Sequence, residues 1–272
     1  RDLKRMPLDV AEKVSEAVHG LVKCPAGARI RFKTDSSRIH IGADFREGNV
    51  NCASDVLCDG VFVGKVGPYG FEVGAEYLDG EVSLPADGKL HSITVFLPRT
   101  VELTEFRLTL DDGASLEAAD PYRITKPIVF YGSSITQGGC ASRPGNAYEA
   151  ILSRRLDMNY INLGFSGNGK AEDLIVEYMA GLDMCAFVSD YDHNAPSFEH
   201  LEKTHERMYK IIREAHPDIP IIFASKPKQA FIFEISVPAA VDIIRGLLFF
   251  ASVFMLSARD AKSFGLTAIT IL

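Results

Sequence analysis

Between Lys126 and Ala224 four short apolar runs alternate with three amphipathic helical stripes. The runs are Pro127–Tyr131, Tyr160–Phe165, Met184–Val188 and Ile219–Ala224. The stripes are Tyr148, Ile151, Leu152 and Leu156; then Leu174, Ile175, Tyr178, Met179 and Leu182; then Leu201, Met208, Ile211, Ile212 and Ala215, the last ending before Pro217. Strand runs separated by helices of this length predict parallel strands joined by crossovers, with helices covering both faces of one sheet. In such an open sheet the carboxyl ends of the strands share one edge, where ligands bind. Residues that carry chemistry are therefore expected directly after the apolar runs.

Upstream the pattern is different. Ile30 and Phe32 alternate with Arg29, Arg31 and Lys33, and Ile39 and Ile41 alternate with Arg38 and His40, a period of two that marks strands with one buried face. Ser92–Leu97 and Phe106–Leu110 supply further strands, and Asp59-Gly60 and Asp112-Gly113 are tight-turn dipeptides of the type I′ kind. These features predict an all-β sandwich or jelly roll over residues 1–121, with either a short helix or an incomplete strand pair in the first 20 residues. An α/β domain follows over residues 122–227, and residues 228–272 form an atypical hydrophobic segment. In that last segment 7 of 45 residues are charged, against 58 of the first 227, and no helical or strand period organises it. Two readings compete: a buried helix and strand that finish the sheet, or an ending foreign to the fold.

The net charge of −7 and pI near 5.5 argue against a nucleic-acid surface, which needs a basic patch. The longest apolar stretch, Gly246–Ala258, has 13 residues, too few to span a bilayer as a helix. Cys24, Cys52, Cys58, Cys140 and Cys185 are scattered without C-x-x-C spacing, so neither a zinc site nor a disulfide framework is indicated. Idle thiols and the lack of a signal-peptide pattern favour a reducing, cytoplasmic compartment, while a first residue of Arg1 fits a fragment or a processed form.

Each of the first three apolar runs is followed by a block of chemical interest: Gly132-Ser133-Ser134-Ile135-Thr136, then Asn162–Asn168, then Asp190–Asn194. A serine at a strand-to-helix turn exposes its Oγ near a helix N-terminus, which favours a developing oxyanion. Gly167 lets the backbone approach a ligand, so that its N–H serves as a donor. The Asn194 side chain offers a second donor. Ser134, Gly167 and Asn194 are thus candidate catalytic residues for acyl transfer. Taken singly, each is as well explained by an ordinary turn or an Asx cap; order and placement after successive strands unite them. Gly164–Ala171 also matches the phosphate-binding G-x-x-x-x-G-K pattern, but Ala171 stands where that motif requires Ser or Thr. His193 adjoins Asn194, so in extended backbone the two side chains point apart, and His200, His205 and His216 lie among charged residues and read as solvated.

The three blocks resemble those of the SGNH (GDSL-type) hydrolases, in the branch that carries an N-terminal β-sandwich with a G-x-D-L-Y segment. The resemblance covers roughly residues 8–227, and Ala53–Gly60 is similar to a degenerate form of that segment, keeping Asp55. It implies a flavodoxin-like α/β sheet, Ser134 as nucleophile, and Gly167 and Asn194 in the oxyanion hole. Hydrolysis of an ester, such as an acetyl group on a carbohydrate or small molecule, is implied, with no metal or organic cofactor and with no nucleic-acid or membrane partner. The alternative is a non-catalytic carbohydrate-binding relative. The family also carries an Asp-x-x-His block that supplies the general base. Residues 228–272 contain Asp242 and Asp260 but no histidine, and none occurs after His216. A reading-frame shift or truncation after Pro227 would account for that loss and for the change of composition together, and the chain as written is expected to be a poor hydrolase.

Overall fold

The computed structural model describes residues 3–46, 53–67, 77–139 and 141–225, together with the backbone of a strand at Ser252–Leu256. Cys52, Cys140, Asp242, Asp260 and, that strand apart, the Gly246–Ala258 stretch lie outside the described residues. The chain opens with two short helices, α1 (Leu8–Val14) and α2 (Glu16–Leu21), the second capped by Ser15, whose Oγ accepts from the Val18 N–H at 3.1 Å.

Eight strands follow: β1 (Arg29–Thr34), β2 (Arg38–Phe45), β3 (Ser54–Cys58), β4 (Val61–Val66), β5 (Tyr77–Ser83), β6 (His91–Phe96), β7 (Leu103–Leu110) and β8 (Leu116–Ala118). They form two antiparallel sheets, β4-β3-β6-β1-β8 and β5-β2-β7. The alternation at Ile39 and Ile41 does what a period of two requires: both side chains are fully buried, and they meet Val56, Ile93 and Val95 of the other sheet in one core. Asp59 and Gly60 turn β3 into β4 with φ of +48° and +80°, as a type I′ turn demands. Asp112-Gly113 behaves differently. Only Gly113 has positive φ, +80°, because β7 and β8 lie in different sheets and the turn joins no hairpin.

The second half is the expected α/β sheet. Strands β9 (Ile124–Gly132), β10 (Met158–Gly164), β11 (Ala186–Ser189) and β12 (Ile221–Ser225) are parallel and ordered β10-β9-β11-β12; β13 (Ser252–Leu256) adds antiparallel to β12. Helices α3 (Tyr148–Leu156), α4 (Asp173–Ala180) and α5 (Phe198–Ala215) connect them. On α4 and α5 the apolar stripes face the core, through Ile175, Val176 and Met179 and through Met208 and Ile212. On α3 the expected stripe is not the buried one: Leu152 and Leu156 are exposed, and Glu149, Ala150 and Ser153 face inward. The inner face of α3 carries a polar network beneath the sheet's carboxyl edge, described below, and apolar periodicity is blind to it.

In the first 20 residues, where the sequence allows a short helix or an incomplete strand pair, the described chain forms helices, α1 and α2. Their side chains join the α/β core: Met6, Ala11, Val18 and Val22 pack in one cluster with Val129, Ile175, Val176 and Met179. The β-sandwich thus sits in sequence between α2 and β9, two parts of one other core. Among the described residues no helix is long and apolar enough to cross a membrane.

Candidate active site

The strand order β10-β9-β11-β12 places the switch of connection direction between β9 and β11, where open α/β sheets bind ligands at their carboxyl ends. Ser134 lies in the turn after β9, Gly167 in the turn after β10, and Asn194 ends a 3₁₀ turn, Tyr191–Asn194, after β11. All three are therefore at one edge, with the serine on the strand between the other two.

Short bonds tie the loops together. The Phe165 N–H donates to Gly132 O at 2.9 Å, and Asn194 Nδ2 donates to Phe165 O at 3.0 Å. That bond uses one Asn194 amide hydrogen and leaves the other. Among the described residues the Ser134 and Gly167 N–H groups have no hydrogen-bond acceptor. Gly167 holds a φ of +70°, and a Cβ there would meet open space, so glycine serves the backbone conformation rather than a tight fit.

Beneath the edge lies a network that the motifs did not reveal. Asp190 is buried, and its Oδ1 accepts from the Ser133 N–H at 2.9 Å and the Thr136 hydroxyl at 2.6 Å. The carboxylate thereby fixes the turn that carries Ser134, and a Cβ at Gly132 would collide with it. Burial pushes the Asp190 carboxyl above its ordinary range, while the Thr136 and Ser133 donors pull it back. Asn162 Nδ2 donates to Thr136 O at 2.5 Å and to Glu149 Oε1 at 3.3 Å. Glu149 has no exposed surface, and desolvation pushes its carboxyl well up. Gln137 Oε1 accepts from the Ser166 N–H at 2.9 Å, which braces the loop holding Gly167. A hint was available in Gly132 and Thr136, small and hydroxyl-bearing neighbours of the serine, but their partner is 54 or more residues away.

Among the described residues no histidine is hydrogen-bonded to Ser134. His193 Nε2 lies 3.9 Å from Asp192 Oδ1. The three downstream histidines, expected to be solvated, are engaged instead. His200 Nε2 meets Lys170 O at 2.8 Å and His216 Nε2 meets Ala180 O at 2.9 Å. His205 is stacked between Tyr191 and Phe223, ring centroids 5.9 and 4.2 Å away, and burial lowers its pKa. These side chains reach inward from the polar-looking α5 because its inner face meets Tyr191 and the Lys170 loop. The Gly164–Ala171 loop does not cradle a phosphate either. The Ala171 N–H is consumed by the Tyr131 hydroxyl at 2.7 Å, and α4 starts only at Asp173. In the sandwich, Cys58, Asp59 and His91 cluster, yet His91 already contacts Asp59 at 2.6 Å and Asp87 at 2.9 Å. Cys24, Cys58 and Cys185 form no disulfide.

Residues 125–242 match the family model of the GDSL-like lipases and acylhydrolases. Residues 1–54 match that of the N-terminus of SGNH-hydrolase-type esterases, ending just short of Asp55. The first match extends past Pro227, where the composition changes. No curated protein matches. Among solved structures, one described as a GDSL-like lipase from Bacteroides ovatus is 29% identical with a TM-score of 0.73, covering 85% of this chain and 71% of that one. A salicylyl-acyltransferase from a tetracycline biosynthetic pathway is 23% identical with a TM-score of 0.63, covering 88% and 70%. A family two carbohydrate esterase from Clostridium thermocellum, solved with cellohexaose, shares the fold at 15% identity and a TM-score of 0.52, covering 82% and 76%. The chain is thus similar to the GDSL-like lipases and acylhydrolases over residues 125–242 and to the N-terminus of the SGNH-type esterases over residues 1–54.

Proposed function

We propose that this chain is a serine esterase of the SGNH type, acting on acyl groups, acetyl foremost, carried by a carbohydrate or small molecule. The observation that carries the reading is the set of unused donors at one sheet edge: the Ser134 N–H, the Gly167 N–H and the second hydrogen of Asn194 Nδ2. Ser134 Oγ loses its proton and attacks the ester carbonyl carbon, the three donors stabilise the tetrahedral oxyanion, and the C–O bond breaks, so that the alcohol departs with that proton and an acyl-serine remains. Water then releases the acid. The likeness to carbohydrate esterases supports a glycan as the alcohol.

The proton of Ser134 Oγ needs an acceptor, and among the described residues no histidine is hydrogen-bonded to Ser134. The residues given after His216 hold no histidine; removal of a triad member costs roughly 10⁴- to 10⁶-fold in kcat. Translating the coding DNA from the codon of Pro227 in all three frames is expected to uncover an Asp-x-x-His block in another frame; its absence from every frame counts against a frameshifted esterase.

A fluorophosphonate probe tests the reading. Labelling that is slow but stoichiometric, and lost in Ser134→Ala, supports it. No labelling, together with calorimetric binding of acetylated oligosaccharide, favours the second reading, a non-catalytic carbohydrate-binding relative.

A further inference from the structure

Asp55, on β3 of the sandwich, has no exposed surface, and its carboxylate is spent entirely on the other domain. Oδ1 accepts from the Gly145 N–H at 2.9 Å, and Oδ2 from Arg143 Nη1 at 2.6 Å. The Arg143 guanidinium in turn lies 4.0 Å over the Phe62 ring of β4. No side chain fits at Gly145: a Cβ would stand 2.5 Å from Asp55 Oδ2 and 3.1 Å from the Phe96 ring. Its carbonyl is held from the opposite side by Arg154 Nη1 at 2.6 Å, so both backbone polar groups of Gly145 are fixed.

Gly145 lies in a 3₁₀ turn, Pro144–Asn146, that runs directly into α3. This is the stretch by which the chain leaves the serine turn. The sandwich takes a second hold on it through Arg99, nearly buried, whose Nη2 donates to Ala141 O at 2.6 Å. Gly138, with φ of +92°, packs so closely that a Cβ would lie 3.1 Å from both Ala147 Cβ and Arg99 Cδ. The hold is short of the serine by few steps, since the Gly139 N–H donates to Ser134 O at 2.6 Å and the Gln137 N–H to Ser133 O at 3.0 Å.

Burying a carboxylate and a guanidinium together is a poor way to add stability, because desolvation offsets most of the attraction. Such a pair does fix geometry, since both partners are directional, and the nearby Arg154 charge also acts on Asp55. We propose that Asp55 is a positioning residue: the β-sandwich sets, through Asp55 and Arg143, the placement of the segment that carries the nucleophile turn into α3. This rests on Ser134 being the nucleophile proposed above. It gives the sandwich a role in the reaction that requires no ligand of its own.

The test compares Asp55→Asn and Arg143→Gln with Val82→Ala, a sandwich-core change remote from the clamp (Val82 is 4% exposed). Two readouts are taken on the full chain: kinact and KI for a fluorophosphonate at Ser134, and amide exchange of residues 141–147. The expected result is a fall of about tenfold or more in kinact with KI unchanged, and faster exchange at Gly145, in both clamp variants. Arg143→Lys, which restores a charged donor, recovers part of the rate. Val82→Ala, even with an equal loss of melting temperature, leaves both readouts as in wild type. The proposal is overturned if a folded Asp55→Asn chain keeps its rate and its Gly145 protection, or if Val82→Ala slows labelling as much. Should Asp55→Asn fail to fold, Arg143→Gln carries the comparison. Should wild type not label at Ser134, the esterase reading fails on its own, and exchange decides: loss of protection confined to residues near the clamp upholds the coupling, and uniform loss refutes it.

Discussion

Replacing Glu149 by Gln isolates the cost of the buried network under the serine turn. Glu149 Oε1 accepts from Asn162 Nδ2 at 3.3 Å, Oε2 has no partner, and none of the side chain is exposed. Burial pushes its carboxyl well above the ordinary glutamate range; the Asp190 charge pushes the same way, against its own backbone N–H and Arg99. The native chain therefore holds this proton more tightly than the unfolded chain, which titrates near about 4.3. Because the native state binds more protons, stability falls as pH rises. The contribution is fully present below the unfolded value and is lost as pH climbs toward the folded one. A single proton difference corresponds to about 1.4 kcal/mol per pH unit. Glutamine keeps the shape and the acceptor for Asn162 but has no proton to lose. Urea unfolding at about pH 5, 6 and 7 should show Glu149→Gln gaining on wild type as pH rises, by at most about 1.4 kcal/mol per unit. Asp55 and Asp190, also raised by burial, contribute to both proteins and largely cancel in the difference. Parallel stability curves would mean that Glu149 is ionised in the native state, and the reasoning would be wrong.

Gly132→Ala drives a Cβ into the Asp190 carboxylate and should cost more than about 3 kcal/mol in urea unfolding, with Asp190→Ala in the same chain recovering part of it. His205 titrates below its ordinary value because it is buried between rings, so the native state binds fewer protons than the unfolded one and stability is lost as pH falls through the ordinary histidine value. His205→Phe should flatten the melting temperature between about pH 7 and pH 5; an unchanged slope would show that His205 is not the group responsible. Met179→Ala, fully buried where α4 meets α1, should cost about 2–5 kcal/mol, read by the same denaturation.

The α/β half was legible because its signals are local and repeated. Each of Pro127–Tyr131, Tyr160–Phe165, Met184–Val188 and Ile219–Ala224 falls largely on an observed strand, and the strand ends put Ser134, Gly167 and Asn194 at one edge. What escaped was polar and distant. Asp190 stands in the sequence only as the first residue of the third block and Glu149 carries no mark at all, since nothing near them in sequence announces the Thr136 and Asn162 that meet them. The inner face of α3 was misread for the same reason, as Glu149 and Ser153 are buried for their hydrogen bonds and Leu152 is not. His205 looked solvated among Glu202, Lys203 and Glu206, because helical spacing shows which residues share a face but not which aromatic rings wait opposite. Asp55 was noticed only as a motif remnant; its partners, 88 and 90 residues on, exist only in three dimensions.

The interleaving of the two cores has a consequence for synthesis. Met6, Ala11, Val18 and Val22 emerge first, yet the surface that buries them includes Ile175, Val176 and Met179, which follow some 150 residues later. At roughly 5–20 residues per second, α1 and α2 wait for several seconds with an apolar face uncovered. The β-sandwich, whose strands lie between them and their partners, has time to fold first and to hold the early helices near where the sheet will form. A chain whose first 22 residues are moved to its other end would make Ile175, Val176 and Met179 before the helices that cover them, and its soluble yield on synthesis would report how much that wait exposes it to aggregation.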